Sequence, residues 1–495
     1  MEAIKIINYV IMVLFFACYA YQFLYIPIAL LKKKKPLPKG KRHRFGVLIA
    51  ARNEESVLGD LLDSLNTQTY PAELIDIYVV ADNCTDRTAA VANAHGATVF
   101  ERFDQTHTGK GYALDFLLRK IRKKYDAYLV FDADNLVAPD YIQEINKTFS
   151  AGYDIVTSYR NTKNYGDNWI TAGYGLWFLR EAQYLNRPRA SIGASCGVSG
   201  TGFLFSARIL QKCGGWHFFS LTEDIEFTAH NIVNGEKIGY CPSAVFYDEQ
   251  PTGFRQSIRQ RTRWVQGYLQ VLHRYGGKVI KGSFQGNFSC FDMLMNIAPA
   301  AILAWVSILI NLTSAVLCMV NGMDVMTVLL SITQSLVNLC CTMFALGLLT
   351  TITEWKQINC SPHRKLLFTL TFPVFMLTYL PVTVAALTCK PDWKPIAHSS
   401  IFSGNLKQHR SYEHRLHRVF TRYLQAYTPN RTDAIFPAGT RELSRFHRRY
   451  LSEVPSCQTD CRYITEACFS LCRSLRIQVV SSAPIMPKRT QSAWG

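Results

Sequence analysis

Two carboxylates, Asp132 and Asp134, stand one residue apart directly after the run Ala127-Tyr128-Leu129-Val130-Phe131. That run is apolar, aromatic and β-branched, the composition of a buried strand. Side chains alternate along an extended chain, so both carboxylates emerge on one face. They do so at a strand's carboxyl end, where open α/β sheets hold ligands. Oxygen ligands of this kind suit Mg²⁺ or Mn²⁺ bridging the phosphates of a nucleotide. A solvated turn leading into a helix near Pro139 explains the triplet equally well on its own.

Four further stretches carry chemistry. Ala50-Ala51-Arg52-Asn53-Glu54 closes one strand-like run and Val80-Ala81-Asp82-Asn83-Cys84-Thr85-Asp86 closes another. Asp82 there is an acceptor for a base N–H or a ribose hydroxyl. Lys110, between Gly109 and Gly111, opens a helix and offers backbone N–H groups and an ammonium to phosphate. The stretch is not a Walker A loop. Asx-turns and helix caps account for these pieces taken singly. More specific are Leu221-Thr222-Glu223-Asp224, where Thr222 is also a candidate helix cap, and Gln260-Arg261-Thr262-Arg263-Trp264. Gln260, Arg263 and Trp264 are three and four apart and share a helix face. An arginine there grips a diphosphate and a tryptophan stacks on a sugar.

The elements that must position these residues alternate. Strand-like runs at Phe45–Ala50, Ile75–Ala81, Ala127–Phe131 and Asp154–Tyr159 are separated by helix-like stretches near Glu54–Asn66, Asp86–His95, Gly109–Lys123 and Pro139–Phe149. That order predicts a mostly parallel sheet with helices on its faces. Residues 8–31 are almost wholly apolar and stop at Lys32-Lys33-Lys34-Lys35, which predicts a signal anchor with its lysines in the cytoplasm. Apolar blocks near 293–320, 325–352 and 366–388 are each long enough to span. The prolines Pro373 and Pro381 are tolerable there. Trp169, Ile170, Tyr174, Trp177 and Phe178 recur at helical spacing and favour a membrane interface or an acceptor groove over a core helix. Arg255, Arg259, Arg261, Arg263, Trp264, Tyr268 and Arg274 predict a helix in the headgroup plane.

The chain therefore divides into a signal-anchor helix (1–35), a cytoplasmic α/β domain (44–250), amphipathic interface helices (251–290), three membrane helices (291–400) and a basic tail (401–495). The formal charge is +18, and half of that excess lies after residue 400. No zinc-finger spacing, RNP-like pattern or basic recognition helix accompanies it, which argues against nucleic acid and for an anionic membrane or phosphorylated substrates. Fifteen cysteines without a paired framework fit reduced thiols. In the tail, Cys457, Cys461, Cys468 and Cys472 lack the spacing of common zinc modules.

The order of motifs resembles the membrane-bound family-2 glycosyltransferases, among them cellulose, hyaluronan, poly-N-acetylglucosamine and chitooligosaccharide synthases. It runs from a strand-end Asp-x-Asp, through Thr-Glu-Asp about 90 residues on, to Gln-x-x-Arg-Trp and then membrane spans. The resemblance covers roughly residues 1–400, including Trp393-Lys394-Pro395. It implies a GT-A nucleotide-sugar domain set between transmembrane helices, one before and about three after, in the plasma membrane. It also implies a UDP-sugar donor with Mg²⁺ or Mn²⁺. Arg52, Glu54, Asp82, Lys110, Asp132 and Asp134 would serve the donor, with Asp134 and Asp132 toward the metal. Asp224, beside Glu223, would be the base. Gln260, Arg263 and Trp264 would hold the diphosphate and the acceptor end. One displacement would invert the anomeric carbon and give a β-linked oligo- or polysaccharide or a glycolipid. Homo-oligomerisation stays open. Gly197-Val198-Ser199-Gly200-Thr201-Gly202 matches the family's acceptor loop only loosely. Two rivals are weaker. An inactive glycan transporter or scaffold does not explain the intact constellation. A glycoside hydrolase with paired carboxylates does not explain the phosphate-binding residues.

Overall fold

The structure is a computed structural model and describes residues 2–32, 37, 40–321 and 326–389. Lys33–Lys35, Trp393-Lys394-Pro395 and the basic tail with its four cysteines lie outside the described residues.

Helix α1 (Glu2–Leu31) leads into an α/β domain. Its elements are β1 (Phe45–Ala51), α2 (Leu58–Asn66), β2 (Ile75–Asp82), α3 (Thr88–Ala94), β3 (Thr98–Arg102), α4 (Lys110–Lys120), β4 (Ala127–Asp132), β5 (Leu136–Val137), α5 (Tyr141–Ser150), β6 (Ile155–Thr162), α6 (Trp169–Glu181), α7 (Arg187–Ile192), β7 (Phe203–Ser206), α8 (Ala207–Lys212), α9 (Glu223–Val233) and β8 (Ile238–Asp248). A long helix, α10 (Phe254–Phe284), follows. The remaining helices are α11 (Phe288–Ile297), α12 (Pro299–Val320), α13 (Met326–Thr353), α14 (Pro362–Leu377) and α15 (Tyr379–Thr388).

The eight strands form one sheet in the order β3-β2-β1-β4-β7-β6-β8-β5. β1, β2, β3 and β4 are mutually parallel; β7 is reversed between β4 and β6, and β6 pairs in parallel with β8. β4, β6 and β8 therefore share a direction, and only β5 and β7 oppose it. The four strands expected from sequence are β1, β2, β4 and β6. The other four lack the pattern that reveals a strand: β3 buries only Arg102, β5 is a two-residue pairing, β7 is short, and β8 contains Pro242 and a register shift opposite Ser158 and Tyr159.

Among the described residues four runs are long and apolar enough to cross a membrane: Ile6–Leu31, Phe288–Val320, Val328–Thr353 and Pro362–Thr388. The second and fourth are each built of two helices. The fourth breaks at Thr378, where Pro381 has no N–H to continue the ladder and Thr378 Oγ1 donates to the Phe375 carbonyl at 2.5 Å.

Two expectations need correction. Helix α6 is mainly a core helix, with Ile170, Tyr174, Leu176 and Leu179 buried; only its Trp177–Glu181 end reaches a cavity. Helix α10 does not owe its basic, aromatic composition to headgroups alone. One face packs on α9, α11 and α15, and Arg261 is 1% exposed. The Arg261 guanidinium lies 4.4 Å from the Phe375 ring centre and 4.9 Å from that of Tyr379, a desolvated cation held by ring faces.

Candidate active site

Parallel register sets the site. Ala50 of β1 lies opposite Asp132 of β4, and Ala51 opposite Ala81 of β2. The residues leaving these strands, Arg52, Asp82 and Asp132, thus meet at one sheet edge. Asn53 and Asn83 turn the chain there with φ of 58° and 52°, a left-handed conformation that asparagine tolerates better than most residues. Asn53 Oδ1 accepts from Thr85 N at 2.8 Å, and Asn83 Oδ1 accepts from Asp104 N at 2.9 Å. Asp82 is buried and paired with Arg102 at 2.6 Å. Burial pushes its pKa up against the pull of that guanidinium.

Acidic groups crowd the same edge. Asp134 is buried and lies among Asp248, Asp132 and Glu54; burial, then those charges, raise its pKa well above the usual value. Glu54 is pushed up to about 8 by burial and by Asp132, Glu249 and Asp86. Asp248, at the end of β8, goes the other way: the Arg160 guanidinium overcomes burial and holds it low. Asn135 bridges the two, donating to Asp134 Oδ1 at 3.2 Å and Asp248 Oδ1 at 3.1 Å.

The loop 197–202 closes the adjoining wall. Lys110 bonds both the Asp132 carboxylate and the Gly200 carbonyl, the latter at 2.7 Å. Gly200 has φ +72°, and its N–H bonds the Asp224 carboxylate. Ser199 Oγ donates to Glu181 Oε1 at 2.9 Å. Glu223 and Asp224 open α9. Burial raises both pKa values, that of Glu223 to about 7, while Lys110 pulls each down. Thr222 sits at the N-cap position but makes no capping bond, and its buried hydroxyl has no partner. Glu226 orders that loop instead, accepting from Phe219 N at 3.0 Å and Ser220 N at 2.9 Å. Gly267 lets α10 close on this loop: a Cβ there would lie 2.4 Å from Thr222 Oγ1.

One cavity of about 1450 Å³ joins all of this. Arg52, Glu54, Asp82, Lys110, Asp132, Asp134, Glu223, Asp224, Gln260, Arg263 and Trp264 all line it. Gln260 Oε1 and Arg263 Nε are buried without hydrogen-bond partners. Trp264 stands edge-on to Tyr174 and Phe178, so it is part wall and part core. Sequence reasoning missed Asp248, Arg160 and Glu181 and assigned Tyr268 to a headgroup-plane helix; all four also line the cavity. Asp248 had a signal, a carboxylate closing the run Ala244-Val245-Phe246-Tyr247, like the run before Asp132.

Among the described residues no three His, Cys, Asp or Glu side chains converge as a metal cage. The donor set still fits a divalent cation. Asp132 and Asp134 supply hard oxygens, and burial and then carboxylate repulsion, which a cation relieves, raise the Glu54 and Asp134 pKa values. Mg²⁺ in particular is commonly held by one or two carboxylates plus substrate phosphates.

Residues 43–267 match the family model described as glycosyltransferase-like family 2. A β-monoglucosyldiacylglycerol synthase of Nostoc sp. is 28% identical over 371 residues, covering 70% of this chain and 74% of the relative. The Synechocystis enzyme of the same name is 27% identical over 230 residues, and the match spans 47% of its length. A poly-β-1,6-N-acetyl-D-glucosamine synthase of Staphylococcus epidermidis is 25% identical, with 56% of this chain and 66% of the relative covered. In fold, the chain is similar to a mannosyltransferase from Pyrobaculum calidifontis solved with GDP-Man and Mn²⁺. That likeness has a TM-score of 0.51 at 16% identity, covering 78% of this chain and 99% of that one. The fold is the GT-A type expected from the resemblance, and the chain carries a glycosyltransferase domain of family 2, flanked by four helices long and apolar enough to cross a membrane.

Proposed function

We propose that the protein transfers a sugar from a UDP-sugar to a hydroxyl of a lipid acceptor at the cytoplasmic membrane face, with inversion. The observation that carries this reading is the continuity of the cavity: the chamber that holds Asp132 and Asp224 runs without a break to Asn8, Ile11, Phe15 and Phe23 on α1. A nucleotide sugar fills one end, and the apolar arm takes a hydrocarbon chain.

Asp82 and Arg52 face the nucleoside, and Lys110 and Arg263 the diphosphate. Asp132 and Asp134 would hold the metal, which when bound neutralises charge on the departing diphosphate. Asp224 accepts the proton of the acceptor hydroxyl as its oxygen bonds to the anomeric carbon. The bond from that carbon to the diphosphate breaks, and the diphosphate carries the electron pair away. Burial raises the Asp224 pKa, which makes it the stronger base. Gly200 N–H and Lys110 keep it ionised enough to act. Trp264 and Gln260 hold the acceptor end beside it.

A glycan acceptor is the second reading. Asn8, Ser307, Ser335 and Asn338 also line the arm, and polar groups among spanning helices suit sugar hydroxyls. Purified full-length protein in detergent, given a panel of UDP-sugars, Mn²⁺ and a lipid extract, should yield UDP and a chloroform-soluble product with one added hexose by mass. A water-soluble ladder of repeating mass would establish the second reading and end the first.

A further inference from the structure

The cavity residues on α1 are Asn8, Ile11, Met12, Phe15, Phe16, Tyr19, Gln22, Phe23 and Ile26, spaced three and four apart. They form one face of the helix. From Asn8 to Ile26 that face runs ~27 Å at 1.5 Å per residue, close to the ~30 Å of a hydrocarbon core. It is apolar and aromatic except near its ends, the lining of a groove for an extended hydrocarbon chain. Tyr19, Tyr21 and Tyr25 cluster where α1 meets the α/β domain, and tyrosine concentrates at the headgroup level.

Arg180, the penultimate residue of α6, lines the cavity at that level. Its Nη2 donates to Gln22 Oε1 at 3.0 Å, and its guanidinium lies 5.2 Å from the Trp177 ring centre. Among the described residues no ion pair joins it to a carboxylate. The neighbouring charges are Glu181, Arg189 and Asp292. Glu181 accepts from Ser199. Arg189 pairs with Asp292 at 2.6 Å, which also accepts from Tyr21 at 2.7 Å. Arg189 Nη2 is buried with no hydrogen-bond partner. Burial lowers the Arg180 pKa to about 10 against the pull of the neighbouring Glu181 charge, so it keeps its charge at neutral pH with no carboxylate in ion-pair contact among the described residues. An arginine fork in a partly dry site matches phosphate oxygens.

We propose that Arg180, with Arg189 behind it, forms a phosphate-recognising subsite at the headgroup level of the cavity. It holds the phosphate of the lipid acceptor while the hydrocarbon chain lies along the α1 face and a headgroup hydroxyl reaches Asp224. This rests on the lipid-acceptor reading and narrows it from neutral lipids to phospholipids.

The test uses full-length protein in non-ionic detergent with two acceptors that both carry a free hydroxyl, phosphatidylglycerol and diacylglycerol. The expected kcat/KM favours phosphatidylglycerol at least ten-fold. Arg180→Gln should bring that ratio near one through the acceptor KM, and Arg180→Lys should retain part of it. An unchanged ratio in Arg180→Gln overturns the subsite, as does equal loss in Arg180→Lys. Transfer to diacylglycerol alone also overturns it and leaves the acceptor reading standing. So does stimulation of that transfer by phosphatidylglycerol, because the phosphate would then belong to a resident lipid. If wild type glycosylates neither lipid, the acceptor reading falls. Native mass spectrometry then decides the subsite: phosphatidylglycerol retained by wild type and lost in Arg180→Gln sustains it, and equal retention removes it.

Discussion

The backbone N–H of Asp132 donates to Thr201 Oγ1 at 2.9 Å, and that hydroxyl donates in turn to Asn135 Oδ1 at 2.5 Å. The donor-side carboxylate and the loop facing the acceptor are therefore one hydrogen-bonded unit. Thr201 is 1% exposed, and Thr201→Val removes both of its bonds, leaving Asp132 N–H and Asn135 Oδ1 only the 3.3 Å bond between them. The expected cost is about 1–3 kcal/mol of stability, with a fall in turnover. Thermal melts beside UDP-release assays check both, and a variant matching wild type in each removes the coupling.

Asp224→Asn removes the proposed base without removing the shape of the chamber. Loss of a positioned general base lowers rates about 10²–10⁴-fold. Donor affinity, followed by calorimetry, should change little. Undiminished UDP release in this variant means that Asp224 is not the base.

The pH profile follows from the same pair. Burial raises the Asp224 pKa, and the ionised form is the working one. Activity is therefore full at higher pH and is lost as pH falls, with the limb above the ordinary aspartate value of 3.8. Glu223 is pushed up to about 7 by burial and then by the Asp224 charge, so Asp224 ionises first and Glu223 still holds its proton where Asp224 titrates. Glu223→Gln should therefore leave the acid limb of kcat/KM in place. A limb that moves with this substitution contradicts this electrostatic account.

Metal dependence is expected to centre on Asp134. Chelation should abolish turnover, and Mn²⁺ or Mg²⁺ should restore it. Asp134→Asn should raise the half-saturating metal concentration at least ten-fold. Full activity in chelator would remove the metal from the reading.

Arg102→Met should be severe for stability. Asp82 and Arg102 have side chains only 4% and 7% exposed, and breaking a buried pair on one side costs about 3–5 kcal/mol. The double variant Arg102→Met with Asp82→Asn should recover much of that stability and still bind donor poorly. Denaturant unfolding of the single and double variants gives the comparison.

Much of this site was legible because strand-end residues follow apolar runs: Arg52, Asp82 and Asp132 were all found that way. Arg160 and Asp248 belong to the same edge, but β7 reverses the sheet beside them, and no local pattern announces a crossover. Lys110 was legible as a cavity residue through its flanking glycines. Its bond to Gly200 was not, since that contact spans 90 residues. The aromatic helix α6 misled for a physical reason: tyrosine and tryptophan suit an interface and a protein core alike. The spans were plain from length and hydropathy, whereas the face of α1 that lines the cavity depends on which neighbours pack beside it.

The buried core does not stop where the α/β domain ends. One apolar cluster runs from Leu48 and Phe203 through Val271 and Val279 of α10 to Met293, Ile297, Phe368 and Phe375 of the apolar helices. Helix α10 also bears Arg263 and Trp264, while its Gln266 donates to the carbonyls of Ala386 and Cys389 at the end of α15. The catalytic half is thus not a separable module. A chain trimmed to residues 44–250 would lose part of its own interior together with the cavity wall that Arg263 and Trp264 form, and grafting the domain onto a foreign set of helices would mean rebuilding both.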